Sequence, residues 1–212
     1  LIGVARDLAS QVAEETEGTE DKVVVEGVLL GQDVEHIAKE ALNYGADTVY
    51  VLDSPMLKHY RNCPYYKNIA SIARKYEPEV FLMGATTLGR DLAGAVATAL
   101  GTGLTADCTK LEMGEVKGAK KKLLLATRPA FGGNIMATII CRKHQPQMSS
   151  VRPRVFPMPE YEADREGEIV YEEICIDDED VQACILDFIH AKGESVDIEY
   201  ADVIVAGGRG MG

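Results

Sequence analysis

The sequence predicts an α/β protein in which a parallel sheet carries helices on both faces and is followed by an antiparallel extension. Apolar runs that suit buried strands alternate with segments of helical periodicity through the first half of the chain, and short connections join them. This alternation is typical of right-handed crossovers in a parallel, Rossmann-like sheet. After residue 105 short apolar runs follow one another without helices between them, which indicates antiparallel pairing.

The elements of the first half follow from the spacing of apolar residues. Ile2, Leu8 and Val12 share one face of a first helix, because they recur at helical intervals. Pro78 ends the third helix, since the residue before a proline is kept out of the helical region. The other predicted elements are strands at 22–30, 48–52 and 80–83 and helices at 34–43, 69–76 and 92–100.

The second half predicts shorter strands. Residues 111–116 and 122–127 suit an antiparallel pair joined by a tip rich in lysine and glycine. Residues 177–190 suit either an N-capped helix or a strand, and their β-branched and aromatic content favours the strand. The remaining predicted strands lie at 135–141, 147–151, 169–176 and 201–205, the last of them entering a glycine-rich turn.

Two boundaries divide the chain. The proline-spaced segment 151–159 is extended and suits a linker. We therefore expect an N-terminal α/β domain over 1–158, a linker with extra strands over 159–200, and the first strand and glycine turn of a second domain over 201–212. Both ends look truncated, because the chain opens directly inside a helical pattern and closes on a turn that normally continues into a helix.

Composition excludes several classes of function. The 212 residues carry a net charge of −12, which argues against nucleic acid as the partner, since neutralising phosphates needs clustered Lys and Arg. No stretch approaches the length and apolarity of a membrane span. The five cysteines form no Cys-x-x-Cys pair, so neither a disulfide framework nor a zinc or iron–sulfur site is indicated, and a reducing cytoplasm fits best.

One segment, Arg128–Pro153, combines two arginines with a Phe-Gly-Gly-Asn turn. Gly132 and Gly133 let the backbone adopt positive φ and approach a ligand or partner closely. Arg128 and Arg152 offer planar donor forks for phosphate, carboxylate or the carbonyl edge of a heterocycle. The alternative is an ordinary β-hairpin turn with two surface arginines.

A second candidate is the loop over residues 84–91, where a predicted strand meets a predicted helix. This is the usual ligand crevice of an open α/β sheet. Thr86 and Thr87 supply hydroxyls there, and the N–H groups at the helix start could hold an anion. On the other interpretation one threonine caps the helix, and Arg90 and Asp91 form a local surface pair.

No catalytic or metal-binding constellation emerges from the sequence. The histidines lack convincing ligand partners, and Cys141 with His144 supplies only two of the ligands that a tetrahedral zinc site needs. The acidic residues of 177–180 lack the glycine and the terminal glutamate of a calcium loop. The residues alone therefore predict an α/β domain with two nucleotide-like loops and assign no reaction.

Six motifs in a fixed order resemble one family and cover nearly the whole chain. They are Tyr44-Gly-Ala-Asp47, Leu82-Met-Gly-Ala-Thr-Thr-Leu-Gly-Arg-Asp-Leu92, Leu100-Gly-Thr-Gly-Leu-Thr-Ala-Asp-Cys108, Thr127-Arg-Pro-Ala-Phe-Gly-Gly-Asn134, Val151-Arg-Pro153 and Ala201-Asp-Val-Ile-Val-Ala-Gly-Gly-Arg-Gly210. Together they resemble the α subunit of the electron-transfer flavoproteins, and the fourth motif is closest to subunits of anaerobic bacteria, including electron-bifurcating ones.

The resemblance implies a fold and a division of labour. The family's first domain is an α/β domain, similar to adenine-nucleotide hydrolases, that packs against a β subunit, and its second domain is flavodoxin-like and binds FAD. This chain resembles the first domain and the opening of the second. By resemblance, Gly207, Gly208, Arg209 and Gly210 belong to the FAD site, with Arg209 near the pyrophosphate.

The same resemblance implies a function. It is that of a heterodimeric carrier that passes electrons through FAD between a flavin dehydrogenase, linked to acyl-CoA or NADH, and an acceptor, with AMP or a second FAD held by the β subunit. We expect Arg128, Phe131, Gly132, Gly133 and Asn134 to face that flavin, or else only the subunit interface. The alternative is a non-redox adenine-nucleotide-binding or regulatory domain that uses Thr86, Thr87, Arg90 and Asp91.

Overall fold

A computed structural model describes residues 1–13, 23–176, 180–181, 183, 185–187, 189, 198, 201 and 203–211. The helices are α1 (Ile2–Ala13), α2 (Glu35–Asn43), α3 (Asn62–Tyr76) and α4 (Thr87–Leu100). The strands are β1 (Glu26–Gly31), β2 (Thr48–Asp53), β3 (Val80–Gly84), β4 (Leu104–Cys108), β5 (Lys110–Gly114), β6 (Leu123–Ala130), β7 (Ile135–Ile139), β8 (Gln147–Val151) and β9 (Glu168–Tyr171). The predicted α/β alternation is confirmed in the first half.

Strands β3, β8 and β4 form a parallel sheet with β8 in the centre. Its two faces bury different partners, because successive side chains of a strand point to opposite sides. Met83 and Met148 pack with α3 and α4 on one face, whereas Val151 and Cys108 pack with α1, β5 and β6 on the other. Helices thus cover both faces, as the sequence predicts.

A second parallel sheet has the order β1–β2–β9. Val49 and Val51 pack towards α2, and Tyr50 and Leu52 pack towards α3, so β2 is buried on both sides. The strand predicted at 169–176 is shorter than expected. The strand ends at Tyr171, which pairs with Val51 close to the end of β2, so few residues of β2 remain for it to pair with.

The antiparallel extension is confirmed as a sheet of order β5–β6–β7. The segment Gln147–Val151 differs from the expectation, since it leaves this extension and inserts between two strands of the parallel sheet. Its side chains are buried along the whole strand although three of the five are polar. Gln147 stays satisfied because its side-chain carbonyl accepts the N–H of Leu124, 2.8 Å away.

Residues 152–167 run across α1 and α2. Arg6 from α1 and Arg165 both pair with the carboxylate of Asp47, at 2.5 and 3.3 Å. The other oxygen of that carboxylate accepts the N–H of Val25 at 2.9 Å. Tyr161 accepts a 2.9 Å hydrogen bond from the amide of Asn43. The predicted linker therefore lies along the domain, held by a carboxylate at the start of β2.

Two expectations concern the last part of the chain. The helix or strand at 177–190 lies for the most part outside the described residues. The strand expected at 201–205 is not found among its described residues, and Val203 and Val205 are 80% and 95% exposed. A strand needs a neighbour to pair with its backbone groups, and no described strand lies beside this segment.

Candidate functional site

Three parallel strands end side by side at one edge of the molecule. Gly84 of β3 is in register with Val151 of β8, and Val151 is in register with Cys108 of β4. The N–H of Ala85, directly after β3, donates to the carbonyl of Val151 at 2.8 Å. The residues that follow these strands therefore meet at the carboxyl edge, where open α/β sheets bind their ligands.

The turn from β3 into α4 is built by Thr86 and Gly89. Thr86 caps α4, because its hydroxyl accepts the N–H of Gly89 at 3.1 Å. A side-chain carbon at position 89 would lie 1.9 Å from the carbonyl oxygen of Gly84, so only glycine permits this close approach. Of the two predicted threonines, Thr86 is the cap and Thr87 is the first residue of the helix.

Asp107 lies at an irregularity of β4. The pairing of β4 with β8 shifts between Thr105 and Cys108, and Asp107 adopts a left-handed φ of 61°. Its N–H donates to the hydroxyl of Ser150 at 2.9 Å. Bulges of this kind re-aim a side chain, and non-glycine residues at positive φ are strained. Here the side chain is aimed at the carboxyl edge.

Arginines from three different elements surround the Asp107 carboxylate. Arg152, directly after β8, donates from Nε and Nη2 to its two oxygens at 3.1 and 2.6 Å. Arg90 of α4 donates from Nη2 at 3.3 Å, and Arg128 of β6 acts on the same carboxylate electrostatically. The Arg152 hydrogen bonds, with the charges of Arg152, Arg90 and Arg128, lower the pKa of Asp107. We name Arg90, Arg128 and Arg152 the arginine cluster.

Asp91 is turned away from this cluster. Its carboxylate accepts hydrogen bonds from the hydroxyl of Tyr60 at 2.5 Å and from the amide of Asn62 at 2.7 Å. Burial, followed by the hydrogen bond to Asp91, raises the pKa of Tyr60 to about 12. The suggested Arg90–Asp91 surface pair is therefore wrong: adjacent residues on a helix point in different directions, and each has its own partner.

The Phe131–Asn134 turn is the tip of the hairpin between β6 and β7. Phe131, Gly132 and Gly133 all have positive φ, at 48°, 72° and 88°. A side-chain carbon on either glycine would meet no atom of the described chain within 4 Å. The glycines thus serve the turn itself, and Phe131 is left 84% exposed at its tip.

The tip continues into an apolar edge. Strand β7 has one neighbour, β6, among the described strands, and the side chains of Ile135 and Met136 are each 54% exposed. Ile139 at the other end of β7 is 44% exposed. Exposed apolar strand edges of this kind mark interaction surfaces. We name Phe131 with the exposed side chains of β7 the apolar edge.

The remaining predicted site residues are Gly207, Gly208, Arg209 and Gly210. They are exposed, Arg209–Met211 form a single 3-10 turn, and its hydrogen bond from Met211 N–H to the Gly208 carbonyl is local, at 3.1 Å. No hydrogen bond of the described residues joins them to the arginine cluster. Their part in a FAD site stays a prediction.

Sequence reasoning missed the centre of the site. Asp107 was predicted only as part of the third motif, and Arg152 and Arg90 were candidates in two separate segments that were not expected to meet. The signal that could have found them is topological: Asp107, Arg152 and Arg90 all stand at or just beyond the carboxyl ends of strands that prove to be neighbours.

Neither a metal site nor a membrane-spanning helix is found among the described residues. Histidine, cysteine and carboxylate side chains form no group of three or more that could hold a metal ion in the part of the chain that the structure describes. Over the same residues, no helix has the length and apolarity needed to cross a bilayer.

The fold and the carboxyl edge together define a Rossmann-like α/β domain. The model of the electron transfer flavoprotein domain matches residues 5–176. The chain is 46% identical over 211 residues to the electron transfer flavoprotein subunit alpha of Megasphaera elsdenii, a match that covers 100% of this chain and 59% of that protein.

Two further relatives agree. Identity is 44% over 212 residues to the subunit alpha of Thermoanaerobacterium thermosaccharolyticum and 44% over 216 residues to protein FixB of Azorhizobium caulinodans, covering 100% of this chain in both cases and 60% and 55% of those proteins. The chain therefore belongs to the electron transfer flavoprotein family and is of the alpha-subunit type. It spans 55–60% of the length of these relatives.

Proposed function

We propose that this chain is the first domain, with the start of a second, of the α subunit of a heterodimeric electron carrier that uses FAD. The family membership supports this function, and the relatives' designation as subunits implies a partner. The observation that carries it furthest is the apolar edge, which presents Phe131 and β7 beside the arginine cluster.

The interface part of the proposal follows from burial. Phe131, Ile135 and Met136 would each remain more than half exposed in a monomer. Covering such side chains contributes about 25 cal/mol for each Å² of apolar surface removed from water. We propose that a β subunit covers the apolar edge and that Gly132 and Gly133 allow the tip to turn against it.

The cofactor part concerns Arg128. Its backbone pairs with β7, but its guanidinium makes no hydrogen bond to the described residues and is available to a group supplied by the partner. We propose that it lies beside the carbonyl edge of a flavin held mainly by the β subunit. A cation there stabilises the anionic reduced flavin and raises its reduction potential. A main FAD site including Gly207–Gly210, a dehydrogenase donor and a cytoplasmic location complete the proposal.

The free thiols are compatible with that location. Cys63, Cys108, Cys141 and Cys175 are not joined in disulfides. Free cysteines predominate in reducing compartments.

Co-expression of the full-length protein with its partner subunit tests the function. We expect a yellow heterodimer whose flavins can be counted from the visible spectrum. A stable monomer in dilute solution, or a colourless complex that retains only AMP, would contradict the proposal.

The role of Arg128 is tested by Arg128→Ala in that heterodimer. We expect a flavin potential to fall by a few tens of millivolts, since ~30 mV corresponds to about 1.4 kcal/mol for a two-electron couple. The matched control is Arg142→Ala, which removes an exposed arginine that donates to the carbonyl of Lys117. Potentials that stay unchanged in Arg128→Ala would leave this residue with a scaffolding role only.

A further inference from the structure

Two guanidinium groups meet at a single carboxylate oxygen at the carboxyl edge. Nε of Arg152 and Nη2 of Arg90 lie 3.1 and 3.3 Å from Oδ1 of Asp107. Two positive charges at this separation repel each other, and one carboxylate neutralises only one of them. Arg128 adds a third positive charge to the same surroundings. The chain, although its net charge is −12, therefore concentrates positive charge here.

Arg90 and Arg152 also have hydrogen-bond donors that the described residues do not use. Arg90 uses Nε on the carbonyl of Ala85 and Nη2 on Asp107, and Arg152 uses Nε and Nη2 on Asp107. Within the described residues, Nη1 of each arginine has no hydrogen-bond acceptor. The side chains of Arg90 and Arg152 are 58% and 41% exposed, so these donors are open to a ligand.

The backbone holds this arrangement in place. Asp107 keeps its strained, left-handed conformation at the shifted register of β4, and Ser150 secures its N–H. The two-pronged contact with Arg152 is the geometry in which a guanidinium is most firmly oriented. A carboxylate fixed in this way positions the two arginines towards the same space beyond the strand ends, and this explains why the strain is retained.

We propose that Arg90 and Arg152 form a phosphate-binding site, with Asp107 as its positioning residue. Two guanidinium groups that share one carboxylate leave positive charge that suits a phosphate or pyrophosphate group, which carries about two negative charges, better than a single carboxylate. Guanidinium groups bind phosphate oxygens in pairs of parallel hydrogen bonds. The ligand is inorganic phosphate or pyrophosphate, or the phosphate end of a nucleotide. The site does not depend on a flavin and goes beyond the proposed function.

Calorimetric titration of the full-length protein, in complex with its partner, with inorganic pyrophosphate at low salt tests the site. We expect one binding event, and we expect Arg152→Gln to weaken it at least tenfold. Arg90→Gln, at a more exposed position, is a second variant with less effect on folding and should weaken binding several-fold. Arg142→Gln is the matched control outside the cluster and should bind as the unaltered protein does.

Asp107→Asn should change the affinity for pyrophosphate in the opposite direction. It removes the competing negative charge, while its amide oxygen still accepts from Arg152, so we expect pyrophosphate to bind several-fold more tightly. Absence of binding by the unaltered complex, equal affinity in Arg152→Gln, or weaker binding in Asp107→Asn would each overturn the proposal.

Titration with ADP in place of pyrophosphate separates the two sources. Tighter, Arg152-dependent binding of ADP indicates a nucleotide, and equal or weaker Arg152-dependent binding indicates the free anion. ADP binding that Arg152→Gln leaves unchanged occurs at another site and contradicts a nucleotide at this one. The flavin content of the same samples is read from the visible spectrum, so a failure of the proposed electron-carrier function is seen independently.

Discussion

The carboxyl ends of the two parallel sheets each carry an aspartate, but the two carboxylates have opposite kinds of partner. At the end of β2, the carboxylate of Asp53 accepts the N–H groups of Asp33 and Val34, both at 3.0 Å, immediately before α2. At the ends of β8 and β4, Asp107 is instead shared between Arg152 and Arg90. One helix start has an anion built into the fold, whereas the other edge has more positive charge than the fold neutralises.

The two edges therefore differ in role: at one, the carboxylate stabilises the fold, and at the other, the arginines are left to bind a ligand. A helix start next to a strand end favours negative charge wherever it occurs. Where the chain supplies that charge from its own strand, no ligand is needed, and α2 requires no side-chain cap of its own. Where arginines outnumber carboxylates, the unsatisfied charge indicates a group that comes from outside.

The largest expected effect comes from a substitution that prevents α4 from packing against the end of β3. In Gly89→Ala the new carbon would lie 1.9 Å from the Gly84 carbonyl oxygen, so the turn that presents Arg90 must move. We expect the free energy of unfolding of the full-length protein, from urea titration, to fall by about 3 kcal/mol. Gly94→Ala in the same helix meets nothing within 4 Å and should be neutral or stabilising by about 0.5–1 kcal/mol. Equal effects of the two substitutions would contradict the close approach.

The built-in anion is removed by Asp53→Ala. The N–H groups of Asp33 and Val34 then lose their acceptor, and loss of a helix cap costs about 1–2 kcal/mol. Asp53→Asn keeps one acceptor oxygen and should lose less. The urea midpoints of the two variants give the order, and a neutral Asp53→Ala would show that water replaces the carboxylate at no cost.

The pH dependence of stability tests the ion pair between Asp107 and Arg152. Because the pKa of Asp107 is lowered, its contribution to stability is complete above the unfolded-state pKa of about 4 and is lost as the pH falls through the lower folded-state value. In Arg152→Gln the folded-state pKa lies closer to the unfolded-state value, so the contribution should be smaller and its loss should be complete at a higher pH. Thermal unfolding followed from neutral to acidic pH measures this, with Arg142→Gln as control. An unchanged acid limb in Arg152→Gln would mean that the bridge contributes nothing.

The smallest expected effect distinguishes Asp91 from the cluster. Tyr60→Phe removes the hydroxyl that lies 2.5 Å from the Asp91 carboxylate, and we expect a loss of about 1 kcal/mol or less in the free energy of unfolding. Pyrophosphate affinity should not change, because Asp91 faces α3 and not the carboxyl edge. A change in affinity would place Asp91 in the site after all.

Periodicity and turn chemistry predicted much of the fold. The helix at 34–43, the strand at 48–52 and the antiparallel pair before Arg128 were readable because burial imposes a period on each of them. Strand β8 was predicted at 147–151, but its place in the centre of the parallel sheet was not, since the buried Gln147, Ser149 and Ser150 give no apolar signal of a central strand. They are tolerated in the core because their polar groups find partners, and such pairing is visible only in three dimensions.

The same limit applies to the site. Gly132 and Gly133 and the capping role of a threonine before α4 follow from local rules, and the structure bears them out. Arg90, Arg128 and Arg152 come from separate elements, and no local rule brings them together. Strand order brings Arg90 and Arg152 to Asp107, because β8 lies between β3 and β4. The site could therefore be predicted only in parts and not as a cluster.

The apolar edge has a consequence for how cells must make this protein. Phe131 and β7 expose an unpaired backbone row and large apolar side chains, which in an isolated chain invite self-association. Newly synthesised chains without a partner are then substrates for chaperones and proteases. If the proposed β subunit covers this edge, we expect matched synthesis of the two subunits to determine how much of this chain survives.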